Sequence, residues 1–275
     1  MKQYQSLAAF SLFSVALVVP HLAQAAPVPA AIVRNDNIGS IGYVNLHQDY
    51  AETGTNIAAN GNVLSGTLDK ETGNLNGIEF DASSQWRHIG IRTHLLYAAG
   101  NTQYDGHYLS NNAPATGTTQ NKFFDASFGI HYGFALSALP RLAFMPGFEV
   151  GYDIWNRDLG SYSEVYLNGY WMGKLGLQYA VTPQLILDGG YGAGRTVSPR
   201  VDSGLTSQTY TLGAAGISRA WVGVDFVLDS HLKLYAKYSA TAYRYLASAA
   251  DANGYYEPDS KTTHDTVSAG IGLRF

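Results

Sequence analysis

The sequence predicts an all-β protein: a single closed antiparallel β-barrel that crosses a membrane. Two observations predict it. Charged residues make up only 14% of the 275 residues, whereas about a quarter of an average soluble domain is charged. In addition, segments of about ten residues alternate apolar and polar side chains, as strands do when lipid covers one face and a polar lumen lies against the other.

The first 25 residues have the features of a secretory signal peptide. Lys2 gives a basic start, residues 7–19 are mostly apolar, and Ala23-Gln24-Ala25 is a small-x-small cleavage site. The apolar run is too short to span a membrane as a helix. We therefore expect export, cleavage after Ala25 and a mature barrel domain of residues 26–275.

Composition excludes several classes of protein and site. The sequence has no cysteine, so an exported chain of this kind has neither a disulfide framework nor a thiolate to act as nucleophile or metal ligand. Its formal net charge of -4 argues against nucleic acid as a partner. The mean hydropathy is -0.09 and no run approaches the length of a spanning helix, which excludes a helical membrane protein.

Ten segments show the alternation, and each is expected to form one strand. In the first of them, Val44 and Leu46 are expected to face lipid. The first two segments have the weakest pattern, so a barrel of eight strands with an N-terminal extension is the alternative. The ten segments are residues 38–50, 75–83, 86–99, 122–136, 142–155, 164–181, 184–196, 215–228, 231–243 and 267–275.

The last segment has the strongest pattern. Its odd positions are apolar and its even positions are small or polar; the apolar residues are Val267, Ala269, Ile271, Leu273 and Phe275. A terminal Phe after such a strand resembles the final strand of bacterial outer-membrane β-barrel proteins. In that family this strand is the recognition signal for the barrel-assembly machinery. The resemblance therefore implies that machinery as a partner and the bacterial outer membrane as the location.

The connections between the segments alternate in length. Short ones, near residues 83–84, 139–141, 181–183 and 229–230, are expected to be periplasmic turns. Longer polar ones, at residues 51–74, 100–121, 156–162, 198–214 and 248–262, are expected to be extracellular loops. The architecture resembles that of small opacity-type barrels, which implies that the loops bind an extracellular ligand; loops that only cap the barrel are the alternative.

Strand parity places acids and bases together inside the barrel. A charge in a narrow lumen must be paired or solvated, so opposite charges at similar depth are expected to form ion pairs. Such pairs would give a narrow or closed lumen. The residues expected to form this network are Arg92, Glu149, Lys174, Asp188, Arg219, Asp225 and Lys237.

The candidates for catalysis and metal binding are weak. His47 and Asp49 on the first strand, with His264 on the last, are expected to face inward at the rim, where they could activate water. No motif of the outer-membrane proteases, lipid A deacylases or lipid A palmitoyltransferases aligns with them, so solvated rim residues are the preferred interpretation. His88 and His94 are too far apart on one strand for chelation. We expect no catalytic residues, no metal and no cofactor.

Three hypotheses for function follow. The first is a non-enzymatic outer-membrane protein with a structural or surface-interaction role, surrounded by outer-membrane lipid and lipopolysaccharide. The second is a small passive-diffusion channel for solutes. The third is a hydrolase or acyltransferase active at the rim.

Overall fold

The computed structural model describes residues 26–58, 60–108 and 110–275, so the predicted signal peptide lies outside the described residues. The described part is almost entirely β-structure. Its elements are α1 (Ala30–Asp36), β1 (Ile38–Ile57), β2 (Val63–Trp86), β3 (Ile89–His107), β4 (Pro114–Tyr132), β5 (Phe134–Leu136), β6 (Leu139–Asp158), β7 (Ser163–Ala180), β8 (Leu185–Ser203), β9 (Gln208–Thr211), β10 (Gly213–Val227), β11 (Leu232–Leu246) and β12 (Asp259–Arg274).

Ten antiparallel strands close into one barrel, which confirms the predicted number and rules out eight. Each strand pairs with its neighbour in the chain, apart from the short β5 and β9, which lie outside the closed circuit and pair with β6 and β8. Pairing of β12 with β1 closes the circuit and sets Ile271 opposite Ile41. Closure leaves no free edge around the middle of the barrel.

An apolar belt surrounds the outside of the barrel, and every barrel strand contributes at least one large exposed apolar side chain to it. On β12 the odd positions face outward: Val267 is 56% exposed and Leu273 is 64% exposed, whereas Ser268 between them is buried. Soluble proteins rarely expose a continuous apolar surface of this extent. The belt is the surface that hydrocarbon covers in transmembrane barrels.

The predicted facing of β1 was wrong by one residue. Val44 and Leu46 are buried in the lumen, and the outward positions are Ile41 and Tyr43. Apolar residues occur at both parities of this strand, so its own alternation cannot decide which set faces lipid. The pairing with β12 decides it, because outward Ile271 fixes the facing of the opposite residue on β1.

We call the end of the barrel that carries α1 and Phe275 the terminal end, and the opposite end the loop end. The hairpins at the loop end are much longer than predicted. β1 and β2 continue through residues 51–57 and 63–74, which were assigned to a loop. β3 and β4 likewise continue through residues 100–107 and 114–121. These stretches are rich in Gly, Thr and Asn, which are typical of loops, and both of their faces are polar once the strand rises above the apolar belt.

A short segment closes the terminal end. Residues 26–37 cross it, beginning with Ala26 paired to Ala135 and ending with the Asn37 carbonyl, which accepts a hydrogen bond from the Phe275 amide at 3.1 Å. Within it, α1 packs fully buried Ile32 against Met145 and Ile186 of the wall. The sequence pattern did not predict this element, since seven residues are too few to show a helical period. Among the described residues, no helix has the length and apolar character that crossing a membrane requires.

We predict that charge is tolerated on the outer wall only above the apolar belt. Ile271→Arg should lower the free energy of unfolding by about 2–4 kcal/mol, because an arginine at that depth faces hydrocarbon. Thr263→Arg lies on the same face of the same strand but nearer the loop end, and should change it by less than about 1 kcal/mol. Urea unfolding in lipid vesicles, followed by tryptophan fluorescence, measures both. Equal losses for the two variants would contradict a lipid-facing belt.

Candidate functional site

The candidate site is the lumen, because the strands place most of the buried charge there. Inward side chains form two groups separated along the barrel axis. The middle layer consists of Glu79, Asp81, Arg92, His94, Glu149, Lys174, Arg219 and Lys237. The upper cluster, nearer the loop end, consists of Glu52, Asp69, Glu71, Arg157 and Glu164.

One half of the middle layer centres on Glu149. Its carboxylate accepts hydrogen bonds from the Lys174 ammonium at 2.5 Å and from the Arg219 guanidinium at 2.9 Å. Arg219 also lies 4.0 Å from Asp125, whose carboxylate accepts a hydrogen bond from Tyr170. Four strands, β4, β6, β7 and β10, are thereby joined across the lumen.

The other half of the middle layer centres on Asp81. The Arg92 guanidinium lies 2.8 Å from its carboxylate, and His94 lies 3.2 Å from the same oxygen. The Lys237 ammonium bridges Asp81 at 3.5 Å and Glu79 at 3.2 Å, which joins β11 to β2. Each buried charge in this half therefore has a partner of opposite sign, the condition that makes burial tolerable.

Five of the seven residues predicted as a lumen network thus lie in the middle layer, and two do not. Asp225 lies nearer the terminal end, where it pairs with Lys233 at 2.9 Å and accepts a hydrogen bond from Asn35 of α1 at 2.7 Å. Asp188 belongs to none of these pairs, and within the described part of the chain its Oδ1 is buried without a hydrogen-bond partner. Asp225 and Lys233 therefore join the barrel wall to α1, a link that the sequence did not predict.

Two cavities lie on either side of the middle layer. The one toward the loop end has a volume of about 80 Å³ and the one toward α1 about 110 Å³. Arg92, Glu149, Lys174 and Trp221 line both, so residues of the middle layer lie between the two cavities. Each cavity can hold several waters, which need about 10–15 Å³ each on this measure.

The upper cluster surrounds one arginine with carboxylates. The Arg157 guanidinium lies 2.6 Å from Glu71, 2.8 Å from Asp69 and 2.8 Å from Glu164. A fourth carboxylate, Glu52, lies 3.6 Å away. Arg157 is 1% exposed, so its charge is stabilised by protein groups in place of water.

Hydrogen bonds and rings complete the upper cluster. Glu71 accepts hydrogen bonds from Thr102 at 2.7 Å and from Thr119 at 3.0 Å. The Tyr50 ring lies beneath the guanidinium at 4.9 Å, within the range of a cation–π contact. Trp155 stacks on Tyr166 at 4.8 Å between ring centroids. The cluster thereby joins β1, β2, β3, β4, β6 and β7 across the lumen near the loop end.

Sequence reasoning missed the upper cluster because it assigned most of its members to loops. Arg157 fell in a connection predicted at 156–162, and Glu52, Asp69 and Glu71 fell in one predicted at 51–74. The alternation of side chains along the strand could have indicated them: Asp69 and Glu71 lie at the same odd-numbered, inward-facing positions of β2 as Glu79 and Asp81. Continuing the strand upward by that parity would have placed them inside.

Glu257, in the connection between β11 and β12, adds a carboxyl group close to the upper cluster. Its pKa is raised to about 8: burial raises it most, the nearby Glu164 carboxylate also raises it, and Arg157 opposes both. At neutral pH this carboxyl therefore holds a proton. It adds no negative charge to a cluster that already contains four carboxylates and one arginine.

His47, Asp49 and His264 do not come together at the rim as predicted. His47 and Asp49 face outward, 3.7 Å apart and substantially exposed. His264 faces inward, is 3% exposed, and contacts Gln48 at 3.1 Å and the Tyr243 hydroxyl at 3.3 Å. The same one-residue error in β1 explains the wrong prediction, because it exchanged the two faces of the strand.

One group in the middle layer has the composition of a metal site: Glu79, Asp81 and His94 bring three ligand atoms within 4.8 Å of one another. Lys237 already contacts both carboxylates of this group, and Arg92 contacts Asp81. A metal ion would have to displace these cations or lie beside them, which Coulomb repulsion disfavours. The geometry therefore fits ion pairs better than it fits a metal.

Comparison with solved structures supports the same architecture. The outer membrane protease OmpT from Escherichia coli is 13% identical, aligns over 88% of this chain and 97% of its own, and gives a TM-score of 0.56. The chain has the fold of a bacterial outer-membrane β-barrel protein. At this identity the likeness shows the fold and nothing about activity.

Two other outer-membrane barrels align less well. The toluene transporter TodX of P. putida is 12% identical over 89% of this chain and 91% of its own, with a TM-score of 0.34. The attachment invasion locus protein Ail of Yersinia pestis is 14% identical over 87% and 99%, with a TM-score of 0.30. No family model matches the sequence, and no curated protein matches it.

We predict that Arg157 holds the loop end together. Arg157→Met leaves Glu71, Asp69 and Glu164 buried beside an apolar side chain, and should cost about 3–5 kcal/mol of stability at that end. Lys122→Met removes an exposed cation from the outer wall and should cost less than about 0.5 kcal/mol. Protease cleavage of the long hairpins and urea unfolding measure the effect.

A second substitution distinguishes the loss of the ion pairs from the loss of side-chain packing. Adding Glu71→Gln to Arg157→Met removes one uncompensated carboxylate and should recover part of the lost stability. No recovery, or equal losses for the arginine and lysine variants, would show that the ion pairs do not hold the hairpins.

Proposed function

We propose that this protein is a non-enzymatic component of the bacterial outer membrane, a sealed barrel with a structural or surface-interaction role. The terminal end would face the periplasm and the loop end the outside. Residues 1–25 would direct export and be removed after Ala25. The final strand, ending at Phe275, would serve as the signal for the barrel-assembly machinery.

One observation supports the proposal: three groups of buried side chains, which would act as barriers, lie in series along the lumen. The upper cluster and its aromatic rings lie near the loop end, the middle layer separates the two cavities, and α1 lies in the terminal end. A passive channel needs a continuous aqueous path wide enough for a solute. Each barrier would interrupt such a path, and opening any one of them would leave buried charges without partners or expose apolar side chains.

The facing of the histidines supports a non-enzymatic role. OmpT is a protease, but the likeness to it extends to the fold alone. His47 and Asp49 lie on the outer wall and His264 in the lumen, so the barrel wall separates the groups that could have activated water. The proposal therefore assigns no catalytic residues and no cofactor.

The hairpin tips at the loop end support surface interaction. Ile57 is 70% exposed, Val63 is 64% exposed and Tyr108 is 59% exposed, all of them far beyond the apolar belt. Asn112 joins the tips of the β1–β2 and β3–β4 hairpins by donating to the Asn62 carbonyl at 2.9 Å. A joined tip presents its apolar side chains to an extracellular ligand with little loss of conformational entropy.

Conductance tests the sealed lumen. In planar bilayers, the folded protein should give no current steps above background, because no continuous aqueous path crosses the three barriers. Folding is verified by the shift in gel mobility between heated and unheated samples. Steady single-channel steps from the folded protein would overturn the proposal in favour of the channel hypothesis.

A variant provides the positive control. Arg92→Ala, Lys174→Ala and Arg157→Ala together, with residues 28–36 replaced by Gly and Ser, weaken all three barriers and should produce measurable current. Lys70→Ala, Lys122→Ala and Arg195→Ala remove the same number of cations from the outer wall and should leave the barrel silent.

A further inference from the structure

Cations on the outer wall differ from those in the lumen. Within the described part of the chain, six cations deep in the lumen each pair with at least one carboxylate; they are Arg92, Arg157, Lys174, Arg219, Lys233 and Lys237. Lys70, Arg244 and Lys261 face outward and are exposed. Across the described ranges, no ion pair within 4.0 Å joins any of these three to a carboxylate. Their charges are therefore available to a ligand.

The three cations lie in one row across four neighbouring strands. Arg244 of β11 lies directly opposite Lys261 of β12, which lies opposite Ala51 of β1, which lies opposite Lys70 of β2. At about 4.8 Å between strands, the row spans roughly 14 Å. Like charges placed directly opposite each other on a sheet are destabilising, so the Arg244–Lys261 pair costs free energy unless an anion lies between them.

A notch interrupts the row at Ala51. The small side chain leaves an open depression of about 310 Å³ between Lys70 and Lys261, bordered by Thr72 and Thr263. Asp49 lies at its lower side, where it contacts His47. The depression therefore combines ammonium groups for an anion with hydroxyl and carboxylate groups that can hydrogen bond to sugar hydroxyls.

Acidic neighbours limit which anions fit. Lys70 lies opposite Asp105 of β3 on its other side, so the positive charge is concentrated toward Lys261 and Arg244. A small patch of this kind would attract a localised anion, such as a phosphate, more than an extended polyanion.

The distance of the row from the apolar belt determines which kind of lipid can reach it. On β12, Val267 is the last large exposed apolar side chain before the loop end, and Lys261 lies six residues further along the strand. With about 3.3 Å per residue and a strand tilt of about 40°, the row lies roughly 15 Å above the apolar belt. Phospholipid headgroups reach only about 5–8 Å beyond the hydrocarbon. Only a lipid with a long anionic headgroup reaches the row.

We propose that Lys70, Arg244 and Lys261 bind a phosphate group on the sugar headgroup of an outer-leaflet glycolipid, with sugar hydroxyls in the notch at Ala51. The arginine donates two parallel hydrogen bonds to the phosphate, and the lysines act as point charges on either side of the notch. This site rests on the proposed outer-membrane location and assigns one face of the barrel, β11 to β2, to lipid contact.

Lipid binding by matched variants tests the site. The protein, expressed from residues 1–275 and extracted in mild detergent, is titrated with purified lipopolysaccharide and followed by native mass spectrometry. Lys70→Gln, Arg244→Gln and Lys261→Gln together should weaken binding by at least about tenfold. The control, Lys122→Gln, Arg195→Gln and Arg200→Gln, removes the same charge from other outward positions and should bind as the wild type does.

Treated lipids identify the group that is bound. Lipopolysaccharide stripped of phosphate should bind the wild type as weakly as the native lipid binds the triple variant, and phosphatidylglycerol should show no difference between variants. Equal losses in the two triple variants, equal binding of stripped lipid, or the same discrimination with phosphatidylglycerol would each overturn the site. The gel-mobility shift and the conductance of the same samples test separately whether the barrel is folded and whether its lumen is sealed.

Discussion

A charged side chain inside a ten-stranded barrel has little bulk water around it, so it must find a partner on another strand. This constraint governs the interior. Glu149 faces Lys174 and Arg219, Asp81 faces Arg92 and Lys237, and Arg157 faces four acids. Where the partners lie on strands that are not neighbours, as in Arg219–Glu149 and Lys237–Glu79, the pair also fixes the distance between walls. The charges that pair across the lumen thus also hold its cross-section constant.

The same constraint explains the long hairpins. Above the apolar belt no hydrocarbon covers the outside of the strands, and an isolated two-stranded ribbon is marginally stable in water. The upper cluster supplies the missing interactions from within, since Arg157 of β6 contacts acids on β1, β2 and β7. The hairpins can therefore rise well beyond the belt and carry exposed tips such as Ile57 and Tyr108.

Sequence reasoning predicted the barrel better than it predicted the interior. The last strand was unambiguous because its apolar residues share one parity and end at Phe275. β1 was ambiguous because Ile41 and Tyr43 are apolar at one parity while Val44 and Leu46 are apolar at the other, and only pairing with β12 chooses between them. The upper cluster was missed because polar faces on both sides of a strand resemble a loop. Asp225 and Asn35 of α1 are 190 residues apart in the sequence, so only the closed fold shows that they are in contact.

The chain contains no cysteine, so a single introduced thiol reports directly on whether water-soluble molecules reach the lumen. Ser127 lines the cavity above the middle layer and is 8% exposed, whereas Thr116 is exposed on the β3–β4 hairpin. In the folded protein, a membrane-impermeant thiol reagent should label Thr116→Cys rapidly and leave Ser127→Cys unlabelled until the barrel is unfolded. Labelling of Ser127→Cys at a rate comparable to Thr116→Cys would contradict a lumen sealed by paired charges.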